Sequence, residues 1–217
     1  GVVSVTWRGR VELSRPDEAG TIQFGLAQPV LSRLQFGPYL LQLWLAQGQC
    51  PRGRVELQRS LQDVELLARD YPAALAGLDQ CDAAVLQAGV FYLPVTLLQG
   101  MVHRLQGDTD RAVAALAAAR DHLESMLAND PDDHRLHAAL GLTLAGLGER
   151  DAALHHGERA VTLYPLDRDA LEAPTLLIDL ALIQTMVGEH EAALVQLDRL
   201  LSMPSLMSRA WLEADPR

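Results

Sequence analysis

Lysine is absent from this 217-residue chain: its 18 Lys-plus-Arg positions are all arginine. That excludes a Schiff-base lysine, the phosphate-gripping lysine of a P-loop and the ATP-pairing lysine of a kinase. Aromatic residues are scarce, at 5% against 49% hydrophobic overall, a balance that suits Ala/Leu-packed helices better than a sheet. The two cysteines, Cys50 and Cys81, fit no close metal or redox spacing, so two buried thiols in a reducing compartment are expected in preference to a disulfide. Basic charge is also in deficit, with 18 cationic against 28 acidic side chains and a formal net charge of -10. Such an excess of carboxylates argues against nucleic acid or an anionic membrane surface as partner.

Long uninterrupted apolar runs are missing too. Two charge-free stretches, Leu34 to Pro51 and Ala83 to Val102, are broken by Gln42, Gln47 and Gly48 in the first and by Gly89, Pro94, Gln99 and Gly100 in the second. A membrane-spanning helix wants about 20 mainly apolar residues, and no insertion is expected. There is no HExxH, GxSxG or CxxC pattern, and the serines lack a nucleophile-elbow context. The expectation is a chain without catalytic residues, metal or cofactor. It opens on Gly1 without a methionine, as an artificially shortened chain or a piece of a longer polypeptide would, so no targeting signal is read from it. A cytoplasmic location is the expectation.

What is present is a pattern of short amphipathic helices. Leu136 to Pro165 is the clearest stretch. Leu136, Leu140, Leu144 and Leu147 make one apolar stripe, and Gly148 stops the helix because a residue past a helix end often needs a left-handed backbone. A second helix runs from about Arg150 and is closed by Pro165. Small residues, Gly141 in the first helix and Ala153 and Gly157 in the second, fall where the two must touch closely. A hairpin this short cannot bury its stripe alone.

The plan recurs upstream over Leu97 to Leu127 and downstream over Leu176 to Pro204. The breaks Gly107, Gly148 and Gly188 are 41 and 40 residues apart. Around them the sets Gly100/Gly107/Ala112, Gly141/Gly148/Ala153 and Ala181/Gly188/Ala193 keep one spacing. This pattern resembles the tetratricopeptide repeat, whose period is about 34. The extra residues fall between hairpins, at Ala128 to Asp133 and Arg168 to Ala173. The consensus Trp of the first helix is replaced by Thr96, His137 and Leu177, and the consensus Tyr by His103, Leu144 and Gln184. The resemblance implies an all-α, right-handed solenoid of antiparallel helical hairpins, with its clearest repeats at 93–127, 134–167 and 174–204.

The remainder fits this array less directly. Residues 1–35 are hard to read: Val3, Val5 and Trp7 alternate as in a strand or as the remnant of a helix, and Ser14, Pro16 and Asp17 look like the start of a helix reaching Leu34. From residue 36 to 217 one continuous array is expected. Pro38 to Gly48 reads as a helix, and residues 55–88 as a decayed repeat in which Ala74 takes the place of the repeat alanine and Arg69 stands where the glycine belongs. Residues 205–214 read as a capping helix.

In tetratricopeptide arrays the first helix of each hairpin lines a concave groove. Carried over by register, the groove positions here are Leu97, Met101, Arg104 and Leu105; Ala138, Leu142, Ala145 and Gly146; and Ile178, Leu182, Thr185 and Met186. The set is apolar with one arginine and lacks the Lys/Asn clamp of the chaperone-binding members, which implies an amphipathic helix or peptide as partner and not a free C-terminal carboxylate. Flexible thioethers at Met101 and Met186 adapt to partner shapes. The rival readings are packing of these residues against another helix of the same chain or against a second copy, or a small-molecule sensor, for which His103, Arg104, His134 and His137 are the candidates. His134 and His137 have ligand-like spacing beside Asp132 and Asp133, although carboxylates are also what a helix N-terminus attracts. The neighbours His155 and His156 point in different directions and do not share a metal easily. The final stretch, Glu189 to Arg217, resembles the closing repeat of tetratricopeptide regions on bacterial regulatory proteins, among them kinases, adenylate cyclases and TolB-like regulators. That resemblance implies a sensor or assembly arm.

Overall fold

The computed structural model describes residues 3–5 and 11–13, by their backbone, and residues 69–203 apart from residue 82. The chain divides into two compact units, residues 1–49 and 50–217. In the first, β1 (Val3–Val5) pairs antiparallel with β2 (Val11–Leu13), Val3 lying opposite Leu13. Of the two readings of the Val3–Val5 alternation, the strand is the one observed. The helices expected over Asp17–Leu34, Pro38–Gly48 and residues 205–214, and the part of the decayed repeat before Arg69, lie outside the described residues.

The second unit is a helical repeat. Among the described residues its helices are α1 (Tyr71–Asp79), α2 (Val95–Gln106), α3 (Thr109–Leu127), α4 (His134–Leu147), α5 (Arg150–Leu163), α6 (Ala173–Met186) and α7 (His190–Leu201). Helices α2 and α3, α4 and α5, and α6 and α7 pair as hairpins, and each hairpin packs on the next through α3 against α4 and α5 against α6. Of the first helices, α2 also packs on α4, and α4 on α6. This is the layering expected of an all-α hairpin array.

The three hairpins turn in the same way because the same residue stops each first helix. Gly107, Gly148 and Gly188 have φ of 78, 82 and 85°. After each, the next residue donates its N–H back into the helix: Asp108 to the His103 carbonyl at 2.9 Å, Glu149 to Leu144 at 2.9 Å and Glu189 to Gln184 at 2.8 Å. A Cβ on any of the three glycines would meet nothing within 4 Å. Backbone handedness, not space, selects glycine here. The same conformation appears one repeat earlier on a different residue. Arg69 has φ 59°, at the place the register reserves for the glycine, and Ala74 five residues on is buried like Ala112, Ala153 and Ala193. The turn and the buried alanine before and within α1 thus match those of the later hairpins. An L-residue in this conformation is strained by about 1 kcal/mol, so Arg69→Gly is expected to raise stability by about 0.5 kcal/mol once the extra freedom of the unfolded glycine is discounted. Urea unfolding monitored by circular dichroism checks it.

One element departs from the all-helical expectation. Residues 55–88 read as a single repeat, and Ala83–Val102 as a helix end, a loop and a helix start. Instead β3 (Val85–Ala88) and β4 (Phe91–Pro94) form an antiparallel hairpin in which Ala88 opposes Phe91. Gly89, with φ 51°, takes the first place of the two-residue turn, as primed hairpin turns require. Val85, Phe91 and Tyr92 are residues that sit well on a pleated surface. Leu86 and Val90 are buried, and β4 packs directly on α4. This accounts for an unusual feature of α4: all eleven residues from Leu136 to Gly146 are buried, under α2, α3, α5, α6 and β4.

Two aliphatic side chains lock the hairpins together. Leu116 of α3 fills a notch between two glycines: a Cβ on Gly100 of α2 would lie 2.6 Å from its Cγ, and one on Gly146 of α4 would lie 2.7 Å from its Cδ1. Ile183 of α6 is seated likewise against α4 and α5, its Cδ1 standing 2.8 Å from a Cβ on Gly141 and 2.9 Å from one on Gly157. A Cβ on Gly141 would also approach the Gly157 nitrogen to 3.0 Å and the Ala153 carbonyl to 3.2 Å. The α4 and α5 backbones touch where the small residues of the sequence place the contact.

Candidate functional site

The positions expected to line the groove do not share one surface. Leu97, Ala138, Leu142, Ala145 and Gly146 are buried. Leu105 is half-buried against α1 in a cluster with Ala74, Leu78 and Val102. Ile178 packs with Leu177, Leu200 and Val161, and Ala138 with Ala160 and Leu176. Thr185 is exposed, its hydroxyl donating to the Ala181 carbonyl at 2.8 Å. The physical reason is the β3–β4 hairpin and the close approach of the first helices, which leave α4 no free face.

Four of the positions remain accessible and related. Met101 from α2 and Leu182 and Met186 from α6 are half-buried and pack against the same central cluster as Leu142 and Ala145, together with Leu147 and Val187. Arg104 is exposed, and its Nη1 donates to the Gly146 carbonyl at 2.6 Å. That bond ties the guanidinium to the last turn of α4, whose carbonyls lack partners within the helix, and leaves its other N–H groups free to bind an acid.

The residues that lengthen the period beyond that of the tetratricopeptide repeat meet elsewhere. The α3–α4 loop, the α5–α6 loop and the β3–β4 turn converge on a cleft of about 320 Å³ lined by Gly89, Asp130, Asp132, Asp133, His134, Arg135, Tyr164, Arg168 and Glu172. Most of its charges are already used. Asp133 accepts from the Arg135 backbone at 2.8 Å and from its guanidinium at 2.6 Å. Burial works to raise the Asp133 carboxyl, but the Arg135 hydrogen bonds and charge outweigh it and hold the group below its ordinary value. Asp132 is paired with Arg159 of α5 at 2.6 Å. Arg168 lies over the Tyr164 ring at 4.7 Å, and the Tyr164 hydroxyl donates to Asp169 at 3.0 Å. The cleft reads as a polar junction that pins two long loops, with no nucleophile set beside a base.

The histidines with ligand-like spacing diverge. His134 stacks on Tyr164 with ring centroids 4.4 Å apart, and its Nε2 is buried without a hydrogen bond. Burial lowers its pKa, Asp133 acting against that and the arginines Arg135 and Arg168 with it. His137 turns instead into the α4–α5 contact, its Nδ1 2.8 Å from the Nδ1 of His156. His155 is exposed, edge-on to His156 at 5.4 Å. His103 and Arg104 lie on α2, so the four candidates for a small-molecule site do not converge. Among the described residues no group of three or more His, Cys, Asp or Glu is placed to hold a metal ion. Cys81 is a free thiol, half-buried where a buried one was expected; Cys50 lies outside the described residues. No described helix is long and apolar enough to cross a membrane.

The His137–His156 contact and the β3–β4 hairpin were not read from the sequence. A signal for the hairpin exists, since Gly89-Val90 separates two runs of strand-forming residues. Nothing local pairs His137 with His156, which only the helix crossing brings together.

No family model and no curated protein matches the sequence. Solved structures of MamA are similar to the chain. MamA MSR-1 in form C2 is 21% identical, covering 70% of this chain and 77% of its own, with a TM-score of 0.33. A MamA point mutant is 21% identical over 74% and 83%, again at 0.33, and MamA AMB-1 is 20% identical over 66% and 95%, at 0.32. At scores this low the assignment to helical-hairpin arrays rests on the repeat geometry of the chain itself.

Proposed function

We propose that the array is a protein-interaction module that takes an amphipathic helix or peptide on the apolar rim formed by Met101, Leu182 and Met186, with Arg104 receiving one acidic group of the partner. The observation that carries this reading is the sharing of one hydrophobic cluster by half-buried side chains from α2 and α6, next to an arginine already held at the end of α4. Burying the exposed parts of a few aliphatic anchors supplies the affinity, and a charge-assisted pair to Arg104 fixes orientation. Thioethers are suited to such a rim because they adapt to the partner's shape. The closing-repeat resemblance supports the further proposal that the module serves as an arm of a larger bacterial regulatory protein in the cytoplasm.

The test is selection of displayed helical peptides on the wild-type protein, followed by titration of the recovered peptides against Leu182→Glu and Arg104→Ala. Leu142 is unsuitable, because at 7% exposed a glutamate there would unfold α4. Leu182→Glu is expected to weaken binding by at least tenfold with helix content unchanged. Peptides that bind both variants as tightly as wild type would overturn the reading. Light scattering across a dilution series, with the same variants, distinguishes a second copy as the partner: self-association abolished by Leu182→Glu would assign the rim to a homotypic contact.

A further inference from the structure

We propose that His137 and His156 form an acid-sensitive latch: neutral, they clamp α4 to α5 and to the α3–α4 loop, and doubly protonated they part the helices and release that loop. The geometry permits one proton arrangement for the neutral pair. His137 Nε2 lies 2.9 Å from the Pro131 carbonyl, which only accepts, so Nε2 carries the hydrogen. Neutral His137 then offers a lone pair at Nδ1, and His156 Nδ1, 2.8 Å away, must donate to it. The α3–α4 loop, α4 and α5 are thereby joined by a single chain of hydrogen bonds through two rings.

Acid acts on this chain in two steps. One added proton leaves the contact intact, because one Nδ1 still presents a lone pair to the N–H of the other. A second puts an N–H on both Nδ1 atoms. Two cations then face each other 2.8 Å apart with no acceptor between them.

The surroundings give the charged pair no relief. Burial is the main influence lowering the His156 pKa, to about 4, with His137 and His155 adding to it. The nearby carboxylates are taken, Asp132 by Arg159 of α5 and Asp133 by Arg135 of α4. His134, on the first turn of α4, is stacked on Tyr164. The α6 side chains buried against α4 and α5 are uncharged, among them Thr175, Leu176 and Ile183, and the half-buried α6 carboxylate Asp179 has an interaction of its own.

The sign follows from linkage. A histidine held neutral in the folded state binds fewer protons than it does unfolded, so its contribution is complete above its ordinary pKa near 6.5, falls as pH drops below that value, and is lost below about 4. Over that window the closed state is expected to lose on the order of 100-fold in its equilibrium over the open one.

The experiment is amide hydrogen exchange of residues 128–133 and of α4 and α5 between pH 7 and pH 4.5, corrected for intrinsic exchange. It is run on wild type, His156→Asn and His155→Gln, alongside an NMR titration of the His156 ring in the wild type. Asparagine can donate to His137 Nδ1 but does not titrate. Wild type and His155→Gln are expected to lose protection in acid, whereas His156→Asn keeps most of it. A His156 ring titrating near 6.5, or a His156→Asn variant that opens in acid as wild type does, overturns the latch. Should His156→Asn fail to fold, the wild-type ring titration decides alone.

Discussion

Truncating Leu116 to alanine is expected to destabilise the array by about 3–4 kcal/mol, within the range for removing a fully buried leucine and leaving its cavity behind. Leu116 is 0% exposed and seats against Gly100 of α2 and Gly146 of α4. The leucine thus contacts the two first helices of successive hairpins at once. Its loss opens a space that neither glycine fills, and backbone cannot close up around it as a side chain could. Urea unfolding at neutral pH, followed by far-UV circular dichroism, measures the effect. A loss below about 1 kcal/mol would mean that the notch collapses, and that the glycines are not holding α3 between α2 and α4. The reciprocal change, Gly100→Ala, is expected to destabilise as well, because its Cβ meets a branched carbon and not the free end of a side chain.

The second large effect is a coupling. Gly141→Ala alone is expected to cost about 2 kcal/mol, since its new methyl group meets both Ile183 Cδ1 at 2.8 Å and the α5 backbone at 3.0 Å. Ile183→Val removes that Cδ1 and alone costs about 1 kcal/mol. The double variant should be more stable than the sum of the two by about 1 kcal/mol, because one change empties the space the other needs. The same substitution paired with Leu116→Ala should be additive, as the two notches use different glycines. A double-mutant cycle in urea reads both. If Gly141→Ala and Ile183→Val were strictly additive, the α5 backbone and not Ile183 would be the obstacle at Gly141.

These two seats explain why the repeat was legible although its sequence identity to the tetratricopeptide pattern is thin. The missing Trp and Tyr of the first helix are large residues whose work is done here by other side chains, such as Leu144, buried at the second place. The glycines and alanines are harder to substitute. A left-handed turn residue and a residue small enough for backbone contact are requirements on the chain itself, so Gly107, Gly148 and Gly188 kept their spacing. Arg69 shows how firmly the turn is imposed: a non-glycine residue accepts the conformation at the matching place.

The proposed interaction surface was less legible. Register alone places Leu97, Ala138, Leu142 and Ala145 beside Met101, Leu182 and Met186, because all belong to first helices. What separates them is the covering of α4, which depends on a strand pair whose ten residues carry no helical periodicity. Likewise the loop residues at 128–133 and 168–173 look like mere spacers in the sequence. Folded, they meet in a charged cleft whose ion pairs connect positions as far apart as Asp132 and Arg159.

By itself the sequence determined the unit: where each helix stops, which face is apolar, and which residues are small enough for two helices to cross. Those properties follow from one residue and its near neighbours. Only the tertiary structure decided which apolar faces stay open, which histidines meet and which carboxylates are neutralised. Each of these depends on what a distant segment places opposite, and neither composition nor spacing encodes that approach.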